Sequence, residues 1–315
     1  MSNFITLPPD LVRGPAADVL PLAGEANWGV GRLFVDDLGD ENDGRGIIVG
    51  VVDTGIDATH PDLRDNVKAA KDFTGSSIGA RDRQEHGTHV SGTIGASNRR
   101  IGVAFGCKLV HGKGLGDDGS GLGSWIAAAM RWCAEQGANV VSMSLGSPSP
   151  DDAINRAGIE LTDAGVLVVV AAGNSGGNTS DIDFPGRFPW AISVASVAED
   201  LTPSPFSSAG ASIKTSAPGS NIWSTRPGGA YRQMSGTSMA TPFAAGVLAR
   251  YLSGLKRLGR PLPKTAEVIE LLKSDSVDKH TPGVDRRTGP GVIWPGLFRS
   301  NLDPSPSPVS VSVSV

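Results

Sequence analysis

The sequence predicts an α/β fold with a mainly parallel sheet and helices on both faces, and two observations carry that prediction. Short apolar, β-branched runs recur along the chain, and stretches of helical character lie between them. A strand that is apolar along its whole length is buried on both faces, and strands alternating with helices join in parallel. The 315 residues are 39% hydrophobic and 19% charged, enough for one sizeable core.

The first twenty-odd residues hold Pro8, Pro9, Pro15 and Pro21 without a clean period and read as an extended arm, residues 1–22, ahead of a folded domain spanning 23–300. The domain's first strand is GIIVGVVD, from Gly46 to Asp53. Further strands are expected in Asn139 to Leu145, Gly165 to Gly173 and Trp190 to Ser196. Helices are expected over Ser124 to Gln136 and Asp151 to Ala164, then in SMATPFAAGVLARYLSGLKRL, whose crowded Ala/Gly face suits a buried central helix. Thr265 to Lys273 reads as a short amphipathic helix, and residues 301–315, alternating Ser with Pro or Val, as a flexible tail.

Composition excludes several function classes. With 28 Lys+Arg against 32 Asp+Glu the net charge is −4, and no basic stripe marks a nucleic-acid surface. No segment reaches the roughly 18 apolar residues of a membrane span. Cys107 and Cys133 have neither disulfide nor zinc spacing and read as buried thiols. Few cysteines and no export signal make the cytoplasm the expected compartment.

Open parallel sheets gather functional groups where strands end, and Asp53 stands at such an end. Alone it would be a turn residue. HGTHVSGT, from His86 to Thr93, places two histidines three apart beside glycines that admit another backbone. They could hold a metal, but no third ligand or HExxH pattern follows. Ser238, in GTSMATP, opens the small-residue helix; it is either an N-cap or a nucleophile, and unpaired N–H groups there favour a developing negative charge. Asn174, in AAGNSGG, is either a turn residue or an oxyanion donor. No ordinary structural reading accounts for Asp53, His86, Asn174 and Ser238 together. A serine hydroxyl becomes a nucleophile when an imidazole takes its proton and a carboxylate fixes that imidazole.

With VVDTGIDATHPDL, HGTHVSGT, GDDGSGLGSWI, SMSLGS, AAGN and GTSMATP in this order, the chain resembles the subtilisin family of serine peptidases over roughly residues 45 to 257. The resemblance implies a three-layer α/β sandwich and a serine endopeptidase acting through an acyl-enzyme. In it Asp53 orients, His86 is general base then acid, Ser238 is nucleophile and Asn174 donates to the oxyanion, while His89 is structural. Gly119, Ser120 and Gly121 on one side, and Ser144, Leu145 and Gly146 on the other, resemble the two edges between which a peptide lies as an added strand. Ala171, Ala172 and Gly173 are further substrate-binding residues by the same resemblance, and Ser175 to Gly186 resembles the wall of the pocket for the residue before the scissile bond.

The chemistry implied needs no cofactor. Asp62 matches a calcium ligand of the family, but Arg99 falls where many members have an oxygen ligand, and Lys214 stands near a second cation site, so a structural calcium is left open. Asp183 lies where subtilisins usually have a small residue; it suits a basic substrate side chain, a solvent-facing loop, or a metal held with Asp181. The Phe4 to Pro9 arm and GLGDDGSGLGSWIAAAMRW resemble the intracellular subtilisins. This implies polypeptide substrates and an arm acting as inhibitor, and it leaves a homodimer open. Rival readings are a silent peptide-binding protein, a peptide ligase using the same acyl-enzyme, and a nucleotide-binding sheet, whose GxGxxG spacing is lacking.

Overall fold

The computed structural model describes residues 4–7, 12–19, 27–32, 40–298 and 302. Pro8, Pro9, Pro21 and nearly all of the expected tail lie outside them. The arm supplies two strands, β1 (Phe4–Thr6) and β2 (Val12–Ala17), and then comes a short helix α1 (Trp28–Arg32). The domain continues through β3 (Ile48–Asp53), β4 (Val67–Asp72), α2 (His86–Gly95), β5 (Lys108–Lys113), β6 (Ser120–Leu122), α3 (Gly123–Glu135), β7 (Val140–Met143) and α4 (Asp152–Asp163). It closes with β8 (Leu167–Ala171), β9 (Ile192–Val197), β10 (Thr215–Pro218), β11 (Ile222–Arg226), β12 (Ala230–Ser235), α5 (Thr237–Arg257) and α6 (Thr265–Asp275).

Seven strands form one sheet in the order β10-β9-β8-β7-β3-β5-β4, and every pairing in it is parallel. Alternate residues of each central strand enter different cores. Val49, Val51, Val140 and Val169 pack with α2 and α5, whereas Val52, Val141, Met143 and Val170 pack with α3 and α4. This is the expected three-layer sandwich. α5 is buried from Thr237 to Leu255, as its small-residue face predicts.

Three sheet strands do not announce themselves as apolar runs: β10, at the opposite edge from β4, is only Thr-Ser-Ala-Pro, and the other two differ for their own reasons. β4 closes one edge and alternates half-buried with exposed positions, so it carries lysines. β5 is interior, but its run is broken by His111 and Lys113, both fully buried. The arm also departs from a plain extended lead-in. β1 pairs antiparallel with β6, and β2 becomes the outer strand of a small sheet ordered β11-β12-β2.

The chain leaves β3 in both directions across the sheet, to β5 on one side and β7 on the other. The carboxyl ends of β3, β7 and β8 therefore border a crevice at this reversal of strand order.

Candidate active site

Asp53 is the last residue of β3, Asn174 follows β8 by a short turn, and His86 and Ser238 lie in the first turns of α2 and α5. Asp53, His86 and Ser238 are all fully buried. The His86 Nδ1 lies 2.8 Å from Asp53 Oδ1, which also accepts the Thr54 N–H at 2.7 Å. With Nδ1–H donated to the carboxylate, Nε2 carries the lone pair, and among the described residues it has no hydrogen-bond partner. Ser238 Oγ donates to Ser144 O at 3.4 Å, so its proton is parked on a backbone carbonyl rather than on the imidazole.

The start of α5 is built around this serine. Pro242 has no N–H to give the Ser238 carbonyl four residues earlier, and Ser144 Oγ donates to that carbonyl instead, at 2.9 Å. The same bond ties the end of β7 to Ser238 itself. As the second residue of a 21-residue helix, Ser238 has a first-turn N–H that the helix leaves without a carbonyl.

Asn174 is oriented by its oxygen. Oδ1 accepts from both Thr237 N and Thr237 Oγ1, each at 2.9 Å, which fixes Nδ2 on the opposite side. That buried amide has no partner among the described residues. An unsatisfied buried donor costs about 1–3 kcal/mol, so a site that keeps one is arranged for an acceptor that arrives with the reaction.

The second histidine of the motif is bound differently. His89 Nε2 lies 3.0 Å from Ile222 O and 3.1 Å from Arg232 O, and burial pushes its pKa down to about 3. It ties α2 to the β11–β12 hairpin and remains neutral. Neither histidine joins a metal cluster, and among the described residues no group of three or more His, Cys, Asp or Glu is gathered. The glycine after His86 is required by contact: a Cβ on Gly87 would lie 2.2 Å from Gly55 O.

Three positioning residues escape sequence reasoning. Buried Asp82 accepts from Thr54 Oγ1, from the N–H groups of Gln84, Glu85 and Thr88, and from Thr88 Oγ1, at 2.7 to 3.0 Å. It shapes the turn into His86, and burial raises its pKa. Lys113 Nζ donates to Thr54 O, to Arg81 O and to Asp117 Oδ1, joining the loops that follow β3 and precede α2. His111 Nε2 accepts from Gly55 N at 3.2 Å, and burial lowers its pKa to about 4.

The two expected substrate edges are occupied. Ile5 pairs with Gly121 and Thr6 with Ser120, while Leu7 N donates to Gly119 O at 3.0 Å. Across the groove Thr6 N donates to Gly146 O at 3.3 Å, and Gly146 N returns a bond to Thr6 O at 3.1 Å. The arm therefore completes the strand between edges that the sequence assigns to a peptide. Ile5, 1% exposed, packs in the cluster containing Ile126, Leu145 and Ile154.

Asp183 stands at one wall of the same groove. Its N–H donates to Ala172 O at 3.0 Å, a Cβ on Gly173 would lie 2.4 Å from its Oδ2, and a Cβ on Gly146 would lie 3.2 Å from its Cβ. The side chain makes no hydrogen bond among the described residues, and burial raises its pKa against the pull of Arg187. Asp181 is engaged elsewhere: its carboxylate accepts from Ile182 N and Ser212 Oγ, each at 2.9 Å, and lies 3.6 Å from Arg187.

The residues around Asp62 do not fit a calcium ion, which takes six to eight oxygens. Asp62 Oδ2 accepts the Tyr231 hydroxyl at 2.9 Å, and its carbonyl accepts Ser97 N–H at 2.8 Å. The adjoining loop brings a cation, with the Arg99 guanidinium 4.5 Å from the Phe105 ring centre.

Comparison with known proteins decides the family. The subtilase family model matches residues 44–291. The chain belongs to the subtilase family. This subtilase is 41% identical over 237 residues to M-protease of Shouchella clausii (strain KSM-K16), covering 74% of the chain and 61% of that protein. It is 42% identical over 226 residues to Subtilisin BL of Lederbergia lenta, covering 70% and 82%, and 41% over 216 residues to Subtilisin E of Bacillus subtilis (strain 168), covering 67% and 56%. The match thus spans about three fifths of the length of the first of these relatives.

Proposed function

We propose that this subtilase is a serine endopeptidase that hydrolyses peptide bonds through an acyl-enzyme. The observation that carries the reading is a pair of buried, unpartnered groups, each held by its other end: His86 Nε2, with Nδ1 on Asp53, and Asn174 Nδ2, with Oδ1 on Thr237, the residue before Ser238. When a substrate enters, the Ser238 hydroxyl turns from Ser144 O to His86 Nε2 and gives up its proton as Oγ attacks the carbonyl carbon. Asp53 holds the imidazole and stabilises its charged form. The carbonyl oxygen becomes the acceptor that Asn174 Nδ2 and the Ser238 N–H lack. The imidazolium then protonates the leaving amine, and water, activated by the same base, releases the acid.

The occupied groove supports a second part of the proposal, that the arm holds the full chain inactive by lying along the path of a substrate. It continues from Leu7 into Pro8-Pro9, a bond whose nitrogen lacks a proton and whose ring disfavours the geometry of attack. The test uses an internally quenched peptide and three full-length chains: wild type, Ile5→Asp and Ser238→Ala/Ile5→Asp. A carboxylate at a position 1% exposed cannot remain in the apolar cluster without a partner. Ile5→Asp should therefore start at least tenfold faster than wild type and without a lag, and the Ser238→Ala chain should be inert. Equal initial rates for wild type and Ile5→Asp contradict the blocking role; hydrolysis by the Ser238→Ala chain contradicts the mechanism.

A further inference from the structure

β5 aims two buried polar side chains at a single peptide unit. His111 and Lys113 stand two residues apart on the strand, opposite Val51 and Asp53 of β3, and so share one face of the sheet. His111 Nε2 accepts the Gly55 N–H at 3.2 Å, and Lys113 Nζ donates to the Thr54 carbonyl. Those are the N–H and the C=O of one peptide bond, Thr54–Gly55. Both side chains are fully buried.

This peptide supports both members of the Asp53–His86 pair. Thr54 N–H donates to Asp53 Oδ1 at 2.7 Å, the same oxygen that lies 2.8 Å from His86 Nδ1. Thr54 Oγ1 accepts the Gly87 N–H at 2.9 Å, and a Cβ on Gly87 would lie 3.0 Å from both Gly55 N and His111 Cε1. Rotation of the Thr54–Gly55 unit would therefore move the donor on Asp53 and the seat of the residue beside His86 together. Gly55, at φ 118°, has no side chain to resist such rotation, so the turn is held from β5.

The ring accepts in only one form. A lone pair on Nε2 puts the single ring proton on Nδ1, which lies 3.1 Å from Ser91 Oγ on α2. Burial keeps the ring neutral, helped by Lys113 on its own strand and His86 on α2, against the pull of Asp53 on β3.

We propose that His111 in its Nδ1–H form and Lys113 clamp the Thr54–Gly55 peptide and so position the Asp53–His86 pair for proton transfer, with Ser91 selecting the form of the ring. The proposal rests on the endopeptidase reading and makes His111, Lys113 and Ser91 positioning residues. Its signature is a loss in turnover without a loss in substrate binding, since His111 lies buried behind the pair.

The test takes the full-length Ile5→Asp chain as parent and an internally quenched peptide as substrate. His111→Leu fills the space without an acceptor, whereas His111→Gln restores one. The Leu substitution should lower kcat at least tenfold with KM within twofold of the parent, and the Gln substitution should return kcat to within threefold. A role in packing alone predicts that Leu serves as well as Gln. A folded His111→Leu chain that keeps more than a tenth of the parent's kcat, or a His111→Gln chain no better than it, overturns the proposal. Should His111→Leu fail to fold, Ser91→Ala carries the test: kcat at least threefold lower at unchanged KM supports the clamp, and an unchanged kcat overturns it. Nitrogen-15 NMR of the histidine-labelled Ser238→Ala chain at pH 7 reads the ring directly, with the His111 proton expected on Nδ1; a proton on Nε2 overturns the clamp. A folded parent that cleaves no peptide counts against the endopeptidase reading, whereas an active parent with unaffected variants removes the clamp and leaves that reading standing.

Discussion

Two loops that follow neighbouring parts of the chain, the crevice at Asp53 and the turn at Asp62, have diverged in opposite ways. At Asp53 every group is placed by a partner on its far side, so that one atom of each residue is left for a substrate: His86 through Nδ1, Asn174 through Oδ1. At Asp62 an acid matched to a family cation ligand is turned inward to the Tyr231 hydroxyl, whose own pKa burial and that acid push up to about 12, and the same region carries Arg99. On the proposed function the crevice is organised around a reaction and has little latitude. The Asp62 turn is organised around stability, which other contacts can supply.

The comparison can be broken by substitution, beginning with the largest effect. Asn174→Leu should lower kcat by about 10²–10³ with little change in KM, a magnitude carried over from the corresponding donor of subtilisin itself. An Asn174→Leu chain within a few fold of wild type would mean that the free amide does not face the reaction.

Acid should act on the crevice through its buried neutral histidines. His89 and His111 have folded pKa values lowered to about 3 and about 4, from an ordinary 6.5. Below pH 6.5 the unfolded chain takes up protons that the folded chain refuses, so stability is full above that pH and falls as pH drops toward 3–4. Each histidine contributes about 1.4 kcal/mol per pH unit, or roughly 2 kcal/mol by pH 5. Urea unfolding of the Ser238→Ala chain at pH 7.5 and 5 measures it, and an unchanged midpoint would show that the two rings are charged or exposed.

Asp183 tests whether the groove selects as well as reacts. We propose that it favours Arg or Lys before the scissile bond, by at least tenfold in kcat/KM over Leu in the Ile5→Asp chain, since each 1.4 kcal/mol is a factor of ten. A preference for Leu or Phe, or an Arg/Leu ratio unmoved by Asp183→Gly, would make it a loop acid.

The smallest effect belongs to the Asp62 turn. Removing calcium with a chelator should shift Tm by less than about 2 °C, because the groups there already satisfy one another. A loss of ten degrees restored by calcium would restore the cation site and erase the contrast between the two loops.

The four candidate residues could be singled out because each sits in a short motif with its own local signal: a strand end, a paired histidine, a Gly-Asn turn, a small-residue helix start. The parallel sheet was legible from runs such as Gly165 to Gly173. Asp82 was not, since RDRQE reads as a solvated charged run; its burial comes from Thr54 and Thr88, brought in by other segments. Lys113 and the arm strands were hidden for the same reason. Lys113 serves backbone carbonyls of two distant loops, and β1 and β2 borrow their pairing from edges far along the chain.

The most direct test of the account is labelling with a fluorophosphonate, which reacts only with a serine whose proton has a base to go to. Intact-mass and peptide mapping of the full-length Ile5→Asp chain should show a single adduct on Ser238, absent when His86→Ala is added. No adduct on the folded chain, or an adduct at another residue, would contradict it.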